Sequence, residues 1–392
     1  FSGNETAGGN ADENGHGNFK YAVPSGFLAP NSANLTAPEA QGVDHFQTKL
    51  YTGSNASQNV TGFDFNPAFL WIKNRNVSGE SHHLMDAVRG DNKFMHSNSS
   101  AVERTGSLNN GSNALAFITD GFSITNASGS ADELNLDTRT YVSWAWANDG
   151  TRTANTNGAK NIFETVSTPG HFAIFDWDGD STAGAFQHSM GDEIEMIIVK
   201  RRNVGAWNWY VWHKAIPDTK AYLLDTNDTG HTSTYWNDVA VNAANQFTLG
   251  ATEGINKTGD EIISYAFRSV PGVCKVGSYT GNGSATAPPY VSVGFKPSWV
   301  MIKNTSVARD WVITDTARSP LNPAELFLFP NLTIAEAARG TSSGSDYDVD
   351  LLADGFRPLA GDSALNGSGN TILYMAMADI GGNGTLPPVY GR

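Results

Sequence analysis

Residues 294–304 read GFKPSWVMIKN, a strand-length apolar run that closes on a lysine. Pro297 marks the start of the strand, and Trp299, Met301 and Lys303 alternate with Val300 and Ile302 as the two faces of an extended chain. The phrase occurs earlier as FDFNPAFLWIKNR (63–75), and a divergent form, DEIEMIIVKRR, occupies 192–202. An aromatic residue and a Gly/Asn/Asp/Ser turn precede each copy, so that Tyr51, Trp177 and Tyr279 stand 22 to 24 residues before Lys73, Lys200 and Lys303. Recurrence in register makes the lysine a structural mark of a repeated module. It is expected where the strand leaves the module, with its stem on apolar neighbours and its ammonium in solvent.

Four further elements follow each lysine in the same order. They are SHHLMDAVRG, WNWYVWHKAI and RDWVITDTARS; then KFMHSNSS, AYLLDTND and LFLFPNLT; then LAFITDGFSI, NQFTLGATEG and LLADGFRPLA; and finally RTYVSWAWAN (139–148), DEIISYAFRS (260–269) and NTILYMAMAD (370–379). Short apolar runs separated by turn residues indicate sandwich strands, and repetition sets the number of units. Helical periodicity is weak, with IAEAARG (334–340) the best place for a turn or two of helix. The chain therefore reads as all-β: three tandem antiparallel β-sandwich modules of jelly-roll or lectin-like type, at 43–148, 169–270 and 271–382. An N-terminal segment (1–42), a polar linker (149–168) and an extended tail (383–392) complete it, and VPGVCK (270–275) couples the last two modules closely. In the first closing strand Val142, Trp144 and Trp146 share one face, which should be core or an interface with the next module.

Composition supports packed cores and narrows the partners. Hydrophobic residues make up 40% of the chain and charged residues only 16%, while 41 glycines supply turns. A net charge of −14 repels phosphate backbones, so nucleic acid is not an expected partner. Cys274 is the one cysteine and has no partner for an intrachain disulfide or a thiolate metal site. No apolar run is long enough for a membrane-spanning helix, so no membrane insertion is expected. The opening FSGNETAGGN is neither a signal peptide nor an initiator methionine, and Phe1 reads as the start of a fragment or a processed product.

YTGNGS (279–284), PAFLWIKNR (67–75), PSWVMIKN (297–304), DGF (120–122 and 354–356), NASG (126–129) and TYVSWAWA (140–147) together resemble a family of repeated β modules in structural proteins of marine tailed bacteriophages. GHGNFKYAVPSGFLAPNSANL (15–35) resembles the end of the SPRY-type, lectin-like sandwich that often precedes such modules. The resemblance implies a virion protein of a tail fibre, spike or other appendage, exposed on the particle surface. It would assemble as a homo-oligomer with other virion proteins and contact host-surface polysaccharide. Capsid decoration, a scaffold-only fibre, a polysaccharide depolymerase and a glycosylated surface or filament protein outside phage are the alternatives.

Candidate sites have competing readings. In GAWNWYVWHK (205–214), Trp207 and Trp209 lie on one strand face and Tyr210 and Trp212 on the other; exposed, they would stack on sugar rings, and buried, they would be core or subunit interface. Asp176, Asp178 and Asp180 alternate as in a calcium loop, but Ser181 and Gln187 stand where an EF-hand needs glycine and glutamate, which favours a solvated acidic turn; DYDVD (346–350) is weaker still. No cofactor other than calcium is suggested. Glu193 with Glu195, and Asp310 with Asp315, are the carboxylate pairs a glycosidase would require, yet no nucleophile motif accompanies them and no catalytic residue is assigned. His82, His83, His171, His188, His213 and His231 lack metal-ligand spacing and are expected at the surface or in local hydrogen bonds. Asn-x-Ser/Thr triplets, as at Asn34, Asn59 and Asn331, are either glycosylation sites or turns copied with the repeat.

Overall fold

Each lysine strand is buried on both faces, and this arranges everything else. The computed structural model describes residues 8–25, 27, 29, 40–105, 114–125, 134–148, 150–236, 245–338, 347–359, 361 and 364–378. The lysine strands are Pro67–Asn74, Met196–Arg201 and Trp299–Asn304, and every residue in them is buried. A strand with apolar neighbours on both sides has no polar face, which explains the unbroken runs FLWI, MIIV and WVMI.

Every module repeats one antiparallel sheet. Its opening strand (Phe46–Thr52, Phe172–Asp178 or Cys274–Thr280) pairs with its closing strand (Thr140–Ala147, Glu261–Phe267 or Thr371–Met377). The closing strand pairs on its other side with the lysine strand, and that strand pairs with a third strand at His82–Asp86, Tyr210–His213 or Val312–Asp315. Registers agree residue for residue: Trp71 faces Trp144, Ile198 faces Tyr265 and Met301 faces Met375. A smaller sheet covers one side, built from Gln58–Val60, Ala114–Ile118 and Gly121–Thr125 in the first module, Gly184–Gln187 and Gln246–Leu249 in the second, and Val291–Ser292, Val349–Leu352 and Gly355–Pro358 in the third. Between the two sheets lie three separate cores, exemplified by Ile72 and Phe122, Val199 and Phe247, and Ile302 and Phe356.

The opposite faces of the three large sheets meet in a fourth core that belongs to all of them. Trp71, Trp144 and Trp146 from the first module join Ile198, Trp209 and Tyr265 from the second and Trp299, Met301 and Met375 from the third. Phe69 stacks on Tyr265 with ring centroids 4.2 Å apart, and Trp146 meets Trp299 edge-on at 5.8 Å. The indole face of the closing strand is therefore the interface between modules.

Two local expectations fail. Thr153–Asn155 and Ile162–Val166 form a hairpin that extends the sheet beside Phe172–Asp178, so 149–168 is not merely a linker. The hairpin holds because Ile162 is buried and the buried Glu164 carboxylate accepts hydrogen bonds from Asn155 (3.0 Å) and Ser189 (2.7 Å). In the expected helical stretch at 334–340, Ala337–Ala338 instead pairs as strand with Leu326–Phe327, because Ala337 is needed in the outer core of the third module. Residues 339–340 and the tail 383–392 lie outside the described residues, as do much of 1–39 and Asn34. Among the described residues there is no α-helix, and Gly42–Asp44 forms a single 3-10 turn.

Candidate functional site

The aromatic cluster at 207–212 is placed by its strand. Trp209 points into the shared core and donates from Nε1 to the His96 carbonyl at 2.8 Å, while Tyr210 and Trp212 fill the second module's own core. Trp207 is half-buried, with the Arg201 guanidinium 4.4 Å from its ring centre. An exposed sugar platform on these four residues is thus corrected: three are buried and the fourth is covered by a cation.

Asp176, Asp178 and Asp180 line a cleft of about 510 Å³ between the hairpin and the turn after the opening strand. Arg152 lies 3.6 Å above the Phe163 ring and pairs with Asp176 at 2.5 Å, and Lys160 pairs with Asp180. Two of the three carboxylates are therefore neutralised by side chains of the chain itself, and Asp178 is exposed at the cleft. Among the described residues no group of three metal-ligating side chains converges; Asp346 of the weaker acidic stretch lies outside them.

The carboxylate pairs and histidines are likewise taken up. Glu193 and Glu195 precede the strand, which begins at Met196, and Glu195 accepts from Lys214 and from the Ser269 amide at 2.7 Å. Asp310 accepts from Asn331 at 2.6 Å, and Asp315 is fully buried in an ion pair with Arg318. His82, His83, His171, His188 and His213 are buried rather than at the surface, and the local hydrogen bonds expected as the alternative are made by His82 with Trp71, His171 with Ser167, His188 with Met190 and His213 with Ala215. Burial holds His188 and His213 down to about 4, and His82 and His171 well below the usual range. Asn331 is buried, whereas Asn282 makes a turn by accepting from the Ser284 amide at 2.9 Å.

The three lysines overturn the expectation of a solvated ammonium. Lys73, Lys200 and Lys303 are each 0% exposed, and burial lowers each ammonium to about 8. Each finds a backbone carbonyl: Lys73 donates to Asn74 at 2.8 Å, Lys303 to Arg309 at 2.5 Å, and Lys200 to Trp207 and, across the joint, to Ser100 of the first module at 3.1 Å. The same face of each module thus turns a cation toward the next: Lys73 feels Glu80 of its own module and then Glu336 of the third, and Lys303 feels Asp228 of the second.

Other contacts repeat around the same ring. Trp209 of the second module donates to His96 of the first, and Trp311 of the third donates to Leu223 of the second at 2.8 Å. His82 stands at the matching position of the first module, receives the Trp71 indole N–H at 2.9 Å and faces the backbone of Phe329 in the third. The joints form a closed head-to-tail cycle of three.

Two of the joints are sealed by one polar network. At the first, Asp86 binds Arg89 (2.5 Å) and the Tyr265 hydroxyl (2.7 Å), and Glu103 bridges Arg89 (3.1 Å) to Arg202 (3.0 Å). At the joint between the third and first modules, Asp315 binds Arg318 (2.6 Å) and the Trp144 indole (2.9 Å), and Glu336 bridges Arg318 (3.1 Å) to Arg75 (2.8 Å). Burial would raise the Glu103 carboxyl, but the Arg202 hydrogen bonds and the Arg89 charge outweigh it and hold it below its ordinary value. The repeated D-x-x-R in DAVR (86–89) and DTAR (315–318) is the sequence signal for this network.

Searches of curated proteins and of solved structures each found no match. A family model described as a domain of unknown function (DUF7483) matches residues 41–380 and so spans all three modules. The chain therefore belongs to the DUF7483 family.

Proposed function

We propose that this chain is a non-enzymatic structural protein of a phage particle appendage, a rigid unit that meets a host-surface glycan. The phage assignment rests on the resemblance of its repeated motifs to structural proteins of marine tailed phages. The observation that supports a structural role is the closed ring itself. The aromatic faces, the buried acids and the three lysines, which in an enzyme would be candidates for a reactive site, are spent on holding three sandwiches to one another. What the surface offers a ligand is a set of polar-lined clefts, such as the one bounded by Arg152, Lys160 and Asp178, suited to a hydroxyl-rich partner.

Incubation of the whole chain with host envelope polysaccharide tests this reading. Saturable binding with no release of oligosaccharide is expected. Turnover of the polysaccharide would put the chain among the depolymerases instead, and the absence of any binding would leave a scaffold without a recognition role.

A further inference from the structure

The third joint, between the second and third modules, lacks every member of the network that seals the other two. Counting along matched strands, His213 stands where Asp86 and Asp315 stand, and Ile216 stands where Arg89 and Arg318 stand. Thr305 follows the lysine strand where Arg75 and Arg202 follow theirs, and Gly230 occupies the place of Glu103 and Glu336. His213 still touches its neighbour, lying against the backbone of Gly277 and Tyr374, so the joint is closed on its inner side. On its outer side a cleft of about 360 Å³ opens, lined by Ile216, Lys220, Thr229, Thr305, Ser306 and Thr371 among others.

The polar groups of that cleft are set up to donate. Ser306 Oγ accepts from the Thr371 amide at 3.1 Å, which leaves its hydroxyl proton free for a ligand. Thr305 Oγ1 donates to the Thr371 carbonyl at 2.7 Å and fixes the cleft wall, while Lys220, which lines the cleft, forms no ion pair among the described residues. The nearby Asp228 carboxylate is turned back onto the Gly230 amide at 3.0 Å. In the two sealed joints a glutamate from the preceding module spans this side; here Gly230 stands against the Tyr222 ring, the Tyr222 hydroxyl donates to the Thr305 carbonyl across the joint at 3.5 Å, and Lys220 with hydroxyl groups lines the cleft beside it.

We propose that this cleft binds a carboxylate-bearing sugar, whose acid group pairs with Lys220. Its ring hydroxyls bond to Thr229, Ser306 and Thr371. The proposal deepens the glycan reading given above and rests on it.

The test is calorimetric titration of the whole chain with a galacturonic acid oligosaccharide and with the same oligosaccharide after its carboxyls are reduced to alcohols. The acidic form should bind saturably and the reduced form about tenfold more weakly, the loss expected when one charge-assisted hydrogen bond is removed. Lys220→Met should lose a similar factor for the acidic form only, with an unchanged melting temperature. Equal binding of both forms, or full retention in Lys220→Met, overturns the site. If binding is retained there but abolished by Lys160→Met in the other cleft, the glycan reading stands and this site falls. If the chain binds no oligosaccharide in any arm, both fall.

Discussion

Lys303 closes an apolar strand because the strand runs to a joint, not to the surface. An ammonium held at 0% exposure is costly, and the cost appears in its pKa, lowered by burial from 10.5 to about 8. Between those values the unfolded chain binds a proton that the folded chain has released, so stability contributed by this group rises with pH across the window. Urea unfolding of the wild type and of Lys303→Met, from pH 7 to 10.5, should show wild type gaining on the variant by up to about 3 kcal/mol. A difference flat with pH would mean that the ammonium is hydrated in the folded state. The histidines work in the other range. His188 and His213, held down to about 4, each cost stability as pH falls from 6.5 through that value, because the unfolded state takes up the proton first. Their Gln variants should therefore begin to unfold at a lower pH than the wild type, as followed by tryptophan fluorescence; an unchanged acid midpoint would mean that these imidazoles do not drive acid unfolding.

At the scale of elements, the third strand and the turn after it decide how each module grips the next. Asp315 accepts from Arg318 and Trp144, all buried, so Asp315→Asn removes the nearer of the two counter-charges of Arg318 and leaves only Glu336, at 3.1 Å. Removing one partner of a buried pair costs about 3–5 kcal/mol, and Asp86→Asn should cost as much at the first joint. His213→Asn, at the matching place in the third joint, exchanges one neutral acceptor of the Ala215 amide for another and should cost under about 1.5 kcal/mol. Chemical unfolding of the three variants checks the contrast; equal losses at all three positions would show that the networks do not carry the joints. The D-x-x-R repeat made these residues legible in principle. Their partners, Tyr265 and Trp144, were not, because they come from another module's closing strand about 170 residues away, at separations of 179 and 171.

The whole molecule is one cooperative body by the same physics. A module removed from the ring would expose one side of its large sheet, in the second module Phe172, Ile174, Met196, Ile198, Trp209 and Tyr265. Apolar area of that kind drives aggregation or loosens packing when it is left in water. Calorimetry of the intact chain should therefore give a single unfolding transition, and residues 169–270 expressed alone should fail to give a cooperative one. Two or three separate transitions would mean that the modules fold independently and only rest against one another.

The all-β class and the recurrence of five strand motifs in one order followed from the sequence by itself, since alternation, turn residues and the spacing of Tyr51, Trp177 and Tyr279 from their lysines are local properties of the chain; which strands pair, and in what register, did not. Where both faces of a strand are apolar, however, local pattern cannot say which face meets the module's own small sheet and which meets another module. That choice assigned Trp144, Trp209 and Trp299 to a common core, buried Lys73, Lys200 and Lys303, and left one joint of the three without its seal. Only the tertiary structure decided it, because the energy at stake comes from contacts between residues far apart in the chain, and closing the ring is the arrangement that takes all three indole faces out of water together.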